Sequence, residues 1–173
     1  MIYWIFDMDE TLYNSGAQKF SYGNLAKDTE LISLINKLNG RKILFTNASH
    51  MHTNVVLDRL GLVSSFDLIL DRDTVGILKP HPNAFLKLIK WCSITKNDTC
   101  YFFEDTINNL IIGNTLGWQS IYINSSQKVS MNNVIDVYVL DSYNNKVKKK
   151  TNINYTFNDI KTALKHFVNR LDK

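Results

Sequence analysis

Several features are scarce in this chain of 173 residues, and each scarcity argues against a class of protein. Its two cysteines, Cys92 and Cys100, form neither a disulfide framework nor a metal-binding spacing, so we expect both to act as small hydrophobic residues. No apolar run reaches the roughly 18–20 residues needed to cross a bilayer, so no membrane association is expected. The opening residues lack a basic region and are interrupted by acids, unlike a signal peptide, which leaves the cytoplasm as the default location.

The seven glycines form no phosphate-binding loop of the kind used by nucleotide-cofactor enzymes or kinases. There is no GxxxxGK sequence, and Gly113 and Gly117 lack the spacing of a dinucleotide fingerprint, which must also follow directly after a strand. Internal repeats and low-complexity tracts are absent as well. Nucleotide-cofactor and kinase functions therefore have no support.

The length predicts a single domain over residues 1–173, and the hydrophobic fraction of 45% is sufficient for a sizeable core. The net charge of +4 is mild, and much of it lies in the lysine-rich run at residues 146–150. We interpret residues 144–155 as a basic polar insertion. A solvated loop is one explanation of the run, and contact with a phosphate-rich partner such as nucleic acid is the other.

Short apolar runs rich in β-branched and aromatic residues alternate with segments of helical periodicity. The predicted strands are residues 2–6, 43–45, 68–70, 101–103, 121–123 and 137–140. The predicted helices cover residues 31–38, 55–60, 82–91, 107–116 and 160–168. This alternation is typical of an α/β fold, a Rossmann-like three-layer sandwich with a parallel central sheet covered on both faces.

Polar residues follow three of these strands directly, and a lysine precedes the helix that begins at Pro82. They are Asp7 and Asp9, Thr46 and Asn47, Glu104 and Asp105, and Lys79. Each group by itself has a plainer explanation as a helix cap, a turn or a surface residue. Ligands of parallel sheets bind outside the carboxyl ends of the strands, so together these residues predict one functional site.

The residue types suit phosphoryl transfer. Carboxylates that converge on one point repel each other, and a hard cation such as Mg²⁺ relieves the repulsion. The cation also shields a carboxylate nucleophile, Asp7, from the negative phosphate that it attacks. Asp9 can then act as general acid and base. We expect the chain to turn at Met8 and Asp9, where the first strand ends.

The pattern as a whole resembles the haloacid dehalogenase-like hydrolase superfamily over nearly the entire chain. Residues 7–11, Asp-Met-Asp-Glu-Thr, are similar to its DxDx[TV] signature. The resemblance implies that Asp7 is the nucleophile, Asp9 the general acid and base, and Thr46, Asn47 and Lys79 the phosphate ligands. It also implies an Mg²⁺ site formed by Asp7, Asp9, Glu104 and Asp105.

A closer resemblance is to the pyrimidine 5′-nucleotidase branch, through Phe-Asp-Met-Asp-Glu-Thr-Leu-Tyr at residues 6–13 and Lys-Pro-His-Pro at residues 79–82. That branch carries a helical cap between its first and second motifs. Here only residues 13–27 are left for one, so we expect a remnant cap or entrance segment and no cap domain. In this superfamily, capless members often act on large substrates or gain a lid by forming oligomers.

Four further residues are weaker candidates for the substrate entrance: Tyr13, Asn14, His50 and His52. The leading functional hypothesis is a phosphatase, a hydrolase of phosphoric monoesters, acting on a small substrate such as a nucleoside monophosphate. An alternative is a phosphatase for a phosphoprotein or a nucleic-acid end, and a second is a non-catalytic binding module that keeps the fold.

Overall fold

The computed structural model describes residues 1–16, 20–125, 134–140 and 146–171. In chain order, the strands are β1 (Ile2–Phe6), β2 (Arg41–Phe45), β3 (Leu68–Leu70), β4 (Thr99–Glu104), β5 (Gln119–Ile123), β6 (Val134–Leu140), β7 (Lys146–Asn152) and β8 (Tyr155–Phe157). The helices are α1 (Thr29–Asn36), α2 (His50–Leu60), α3 (Arg72–Val75), α4 (Pro82–Cys92), α5 (Ile107–Thr115) and α6 (Ile160–Leu171). A short 3₁₀ turn at Tyr22–Asn24 precedes α1.

Six strands form one parallel sheet in the order β3-β2-β1-β4-β5-β8. Helices cover both faces, and no large cap is present in the part of the chain that the structure describes. The predicted α/β, Rossmann-like sandwich is therefore confirmed. So is the expectation about the cap, since the described residues between β1 and α1 contain only the 3₁₀ turn.

Strand β1 divides the core because its apolar side chains alternate between the two faces. Trp4 and Phe6 pack into a cluster with residues of α1, α2 and α6, whereas Tyr3 and Ile5 pack into a second cluster with residues of α4 and α5. All four side chains are at most 3% exposed. A central strand that is buried on both faces explains the continuous apolar run in the sequence.

Two sequence predictions about the C-terminal third are wrong. Residues 137–140 were expected in the central sheet, but they belong to β6, which pairs only with β7 in a separate antiparallel hairpin. The lysine-rich run at residues 146–150, for which a solvated loop was one of two explanations, lies on β7. The sixth strand of the main sheet is instead β8, which begins at Tyr155, inside the expected insertion. Residues 144 and 145 of that insertion lie outside the described residues.

The cysteine prediction is confirmed, because Cys92 and Cys100 are both free and buried in the core. Burial raises the pKa of the Cys100 thiol to about 12, which keeps it protonated and unreactive. No helix in the described part of the chain combines the length and apolar character required to span a bilayer.

The carboxyl ends of the central strands are aligned at one edge of the sheet. Phe6 lies opposite Leu44 on β2 and Phe103 on β4. The backbone N–H of Asp7 donates to the carbonyl of Phe103 at 2.9 Å, and that of Thr46 donates to Leu70 at 3.0 Å. The ladder thus continues one residue beyond the strands and brings the polar residues that follow them to a common edge.

Gly40, at the turn into β2, supports this alignment from the opposite end of the strands. Its φ is +121°, and a Cβ atom there would lie 2.5 Å from the carbonyl oxygen of Ile2 on β1. Side chains other than hydrogen are therefore excluded by both the backbone conformation and the contact.

We expect Gly40→Ala to lower the free energy of unfolding by about 2–4 kcal/mol, because backbone strain and a clash with the neighbouring strand combine. Gly76→Ala is the matched control, since its φ is +70° but nothing lies within 4 Å of an added Cβ. It should cost only about 1–2 kcal/mol. Urea unfolding of the two variants measures the difference, and equal losses would show that the approach to Ile2 imposes no constraint.

Candidate active site

All seven residues predicted for the site line one cleft of about 290 Å³ at the carboxyl edge of the sheet. They come from the segments after β1, β2 and β4 and from the loop before α4, and they are Asp7, Asp9, Thr46, Asn47, Lys79, Glu104 and Asp105. The structure therefore brings together what the sequence predicted as one site. Their chemical roles remain predictions.

Lys79 is the centre of this cleft. Its ammonium donates to Asp7 Oδ1 at 2.8 Å, to Glu104 Oε2 at 2.8 Å and to the carbonyl of Phe45 at 2.7 Å. An ammonium group has three N–H donors, so all three are used. The Lys79 side chain is only 1% exposed, and burial opposes its charge. The negative charges of Asp7 and Glu104 outweigh that effect and raise the pKa of Lys79, which keeps it positively charged.

Asn47 fixes the loop that carries Lys79. Its side-chain nitrogen donates to the Lys79 carbonyl at 2.9 Å, and its side-chain oxygen accepts from the Lys79 backbone N–H at 2.8 Å. The peptide bond between Lys79 and Pro80 is cis. Asn47, from the segment after β2, thus fixes the loop that leads to α4. The sequence predicts a phosphate ligand at Asn47, whereas its side-chain amide is engaged with this loop.

Asp7 is almost completely buried, and its carboxylate is held at both oxygens. Lys79 binds Oδ1, and the hydroxyl of Thr11 donates to Oδ2 at 3.3 Å. Burial and the nearby charge of Glu104 raise the pKa of Asp7 to about 7, against the opposing influence of Lys79. The chain turns directly after Asp7, as expected, because the Leu12 N–H donates to the Met8 carbonyl at 2.8 Å and Glu10 has a φ of +57°.

Asp7, Glu104 and Asp105 form an acidic cluster whose carboxylate oxygens lie within 4.8 Å of one another. Burial is the largest cause that raises the pKa of Glu104 and of Asp105, and each is further affected by its charged neighbours. One lysine does not balance three carboxylates. The donor set consists of oxygens only, which suits a hard divalent cation.

Asn109 adds to the case for a cation. Its side-chain nitrogen donates to Glu104 Oε2 at 3.0 Å, but its side-chain oxygen is buried in the cleft wall and has no hydrogen-bond partner among the described residues. A buried amide oxygen is costly when it is left unpaired. A cation or a water molecule bound to a cation would satisfy it, so the residues present fit such an ion.

Asp9 has a different environment, because it is bound by aromatic and imidazole groups. Its Oδ1 accepts from the hydroxyl of Tyr13 and lies 2.8 Å from His52 Nε2. The hydroxyl of Tyr22 lies 2.7 Å from the other ring nitrogen of His52. Two of the four weak candidates, Tyr13 and His52, therefore contact a predicted catalytic residue.

The other two weak candidates lie elsewhere. His50 pairs through Nδ1 with Asp71 at 2.7 Å, and its backbone N–H donates to Asp73. Asn14 accepts from the Gly16 N–H and lines a separate cavity of about 270 Å³ beside α6.

Thr46 is buried in the predicted phosphate-binding region, and its hydroxyl accepts from the Ala48 N–H at 3.1 Å.

Sequence reasoning missed Asn109 and Tyr22. Asn109 lies in the first turn of α5, and the short connection from the end of β4 brings its amide to the Glu104 carboxylate. Its position at the start of the helix that follows Glu104 is a signal that the sequence offered. Tyr22 gave no such signal, because its contact with His52 joins residues 30 positions apart.

A family model for the haloacid dehalogenase-like hydrolases matches residues 25–117, which is more than half of the chain. The matched region contains Thr46, Asn47, Lys79, Glu104 and Asp105 and begins after Asp7 and Asp9.

Solved structures show the same fold. A HAD phosphatase from Thermococcus onnurineus aligns with a TM-score of 0.57 and 16% identity, over 81% of this chain and 57% of its own. An L-2-haloacid dehalogenase from Xanthobacter autotrophicus, with chloropropionic acid covalently bound, aligns with a TM-score of 0.59 and 12% identity over 84% and 62%. YfnB, a HAD-hydrolase of Bacillus subtilis bound to magnesium, aligns with a TM-score of 0.55 and 16% identity over 81% and 52%.

This chain spans between 52% and 62% of the length of those three proteins. The similarity therefore covers the sheet and its helices, and the remaining part of each relative has no counterpart in the alignment. Such low identities show a common fold and leave the reaction to be argued from the site.

Because the Lys79 ammonium makes three buried hydrogen bonds, its removal should strongly destabilise the fold. We expect Lys79→Met to lower the free energy of unfolding by about 3–5 kcal/mol, because Asp7 and Glu104 lose their buried counter-charge. Lys87→Met is the control, since Lys87 donates one described hydrogen bond, to the Val75 carbonyl, and its ammonium lies 5.9 Å from the centre of the Trp91 ring. Its loss should cost about 1 kcal/mol. Urea unfolding in the presence of a chelator measures both, and similar losses would contradict a central role for Lys79.

Proposed function

The chain belongs to the haloacid dehalogenase-like hydrolases, and we propose that it is a magnesium-dependent phosphatase that uses Asp7 as its nucleophile. The observation that carries the proposal is the combination of a buried Asp7, bound to Lys79, with a cluster of carboxylates around it and a second aspartate, Asp9, in the same cleft. Phosphatases and dehalogenases share this fold, so the site must distinguish them.

Two features favour phosphate esters over carbon–halogen bonds. A halide ion leaves without a proton, whereas an alkoxide leaving group needs one, and Asp9 is available as a general acid. The cluster of carboxylates also suits a divalent cation. Such a cation would offset the repulsion between a phosphate dianion and the Asp7 carboxylate, a repulsion that a neutral carbon–halogen bond does not cause.

In the proposed reaction, a carboxylate oxygen of Asp7 attacks phosphorus, and the bond from phosphorus to the leaving oxygen breaks. Asp9 gives its proton to that oxygen. Asp9 then takes a proton from a water molecule that attacks the phospho-aspartyl group, so that inorganic phosphate leaves and both aspartates return to their starting states. Bound Mg²⁺ supplies positive charge against the repulsion between phosphate and carboxylates.

The other residues have supporting roles. Asp7, Glu104 and Asp105 would hold the ion together with the backbone carbonyl of Asp9. Lys79 reduces the negative charge on Asp7 and, in the same cleft, contributes positive charge to phosphate binding. Thr46 and the backbone N–H of Asn47 bind phosphate, because the Asn47 side chain is already engaged with the loop.

The substrate we propose is a small phosphomonoester, with nucleoside monophosphates first because of the resemblance to the 5′-nucleotidase branch. A specific observation favours a second candidate, a macromolecular substrate such as a phosphoprotein or nucleic-acid end. The described chain has no large cap over the cleft, and the lysine-rich run lies on a hairpin strand. An oligomer that covers the cleft is compatible with either substrate.

Phosphate release tests the reaction class. We expect Mg²⁺-dependent release from at least one member of a panel of nucleoside monophosphates, sugar phosphates, a phosphopeptide and a phosphorylated oligonucleotide. Asp7→Asn should lower the rate by about 10³-fold or more, because the nucleophile is lost. L-2-Chloropropionate serves as the dehalogenase control. Halide release, or substantial phosphatase activity in Asp7→Asn, would contradict the proposal, and no turnover of any compound would favour a binding module.

Metal binding can be tested without turnover. We expect Mg²⁺ at about 100 times its Kd to stabilise the wild-type protein by about 2.7 kcal/mol, measured by urea unfolding. Asp105→Asn should remove most of this stabilisation, because Asp105 belongs to the acidic cluster. Asp58→Asn, on the exposed side of α2, should leave it unchanged. Equal responses of the two variants would remove Asp105 from the metal site.

A further inference from the structure

Asp9 is held at one carboxylate oxygen only. Oδ1 contacts both the Tyr13 hydroxyl and His52 Nε2, and among the described residues Oδ2 has no hydrogen-bond partner. The Asp9 side chain is 43% exposed, so packing alone restricts it little. An aspartate without such anchors samples several rotamers.

His52 is itself held on several sides. Its backbone N–H donates to the hydroxyl of Ser49, which caps α2. Its ring lies 5.6 Å from the ring of Phe20 and 5.4 Å from that of Tyr22, and its side chain is 22% exposed. The imidazole is therefore packed between the start of α2 and the segment that precedes α1.

The contacts of His52 with Tyr22 and Asp9 favour the neutral tautomer that carries its proton on Nε2. A neutral imidazole has one N–H, and the phenol can donate to Nδ1 only if the proton is on Nε2. Nε2–H then donates to Asp9 Oδ1. The opposite arrangement would set a lone pair of Nε2 against a carboxylate oxygen at 2.8 Å, which is repulsive.

We propose that His52 is a positioning residue for Asp9, oriented by Tyr22 and assisted by Tyr13. The two donors occupy Oδ1, and Oδ2 is left as the oxygen that exchanges a proton with the leaving group and with water. This inference rests on the proposed phosphatase function. It assigns to the start of α2, together with Tyr13 and Tyr22 from the segment between β1 and α1, the task of holding the general acid in place.

The consequence is a selective kinetic defect. Without His52, Asp9 loses its fixed orientation, and reactions whose leaving group needs a proton should suffer most. n-Butyl phosphate has such a leaving group, whereas p-nitrophenyl phosphate releases an anion that is stable without protonation. A residue with only a structural role would affect both esters equally.

We expect His52→Leu to lower kcat/KM, which reports the steps up to phosphorylation of Asp7, by about 10²-fold for n-butyl phosphate and by less than about 3-fold for p-nitrophenyl phosphate. His52→Gln should recover about 10-fold or more of the loss, because its amide nitrogen can donate from a similar position. Tyr22→Phe should show a smaller defect of the same selectivity. His166→Leu, on α6 and without a described contact to the cleft, is the histidine control.

A second measurement does not depend on activity. In the ¹⁵N NMR spectrum of histidine-labelled wild-type protein, His52, assigned by its absence in His52→Gln, should show the proton on Nε2. Asp9→Asn should shift the Nε2 resonance and Tyr22→Phe the Nδ1 resonance, and neither should move the signals of His166.

Equal losses of kcat/KM on the two esters in His52→Leu, or a His52 spectrum that is unaffected by both substitutions, would overturn the inference. Failure of the wild-type protein to hydrolyse any ester would contradict the proposed function instead. The spectra alone would then show whether His52 contacts Asp9.

Discussion

The buried ammonium of Lys79 is the interaction on which the arrangement of the cleft depends. It joins Asp7 after β1, the carbonyl of Phe45 at the end of β2 and Glu104 at the end of β4, all at 2.7–2.8 Å. A buried charge is tolerated only when it is paired and hydrogen-bonded, so the three strand ends and the Lys79 loop must meet in one geometry. The amide of Asn47 makes that requirement stricter, because it fixes the backbone from which Lys79 extends.

The same pairing leaves an excess of negative charge, and this excess connects the fold to the chemistry. Lys79 offsets part of the charge of Asp7, Glu104 and Asp105, yet burial still raises the pKa of Asp7 to about 7. The unpaired oxygen of Asn109 lies in the wall of the same cleft. A divalent cation would address both problems at once, and it would do so beside the carboxylate that we propose as nucleophile.

The short segment between β1 and α1 acquires importance from the lack of a large cap. Tyr13 and Tyr22 come from this segment, and through His52 they connect it to Asp9. Each contact is a single polar or aromatic interaction, so the position of Asp9 depends on the packing of a few side chains. A cleft that no large cap covers in the described part of the chain can therefore still hold Asp9, the general acid that we propose, in an ordered position.

The sequence by itself determined the parallel sheet, its five long helices and the seven residues of the cleft, because apolar periodicity is local and polar residues directly after strands are visible in a linear chain. It did not determine that Val134–Leu140 leaves the sheet for a hairpin and that Tyr155–Phe157 takes the edge position, since strand pairing is decided by tertiary contacts. Nor did it reveal the binding partners of Lys79, Asn109 and His52. Those depend on distances between residues as many as 72 positions apart, which only the folded chain sets.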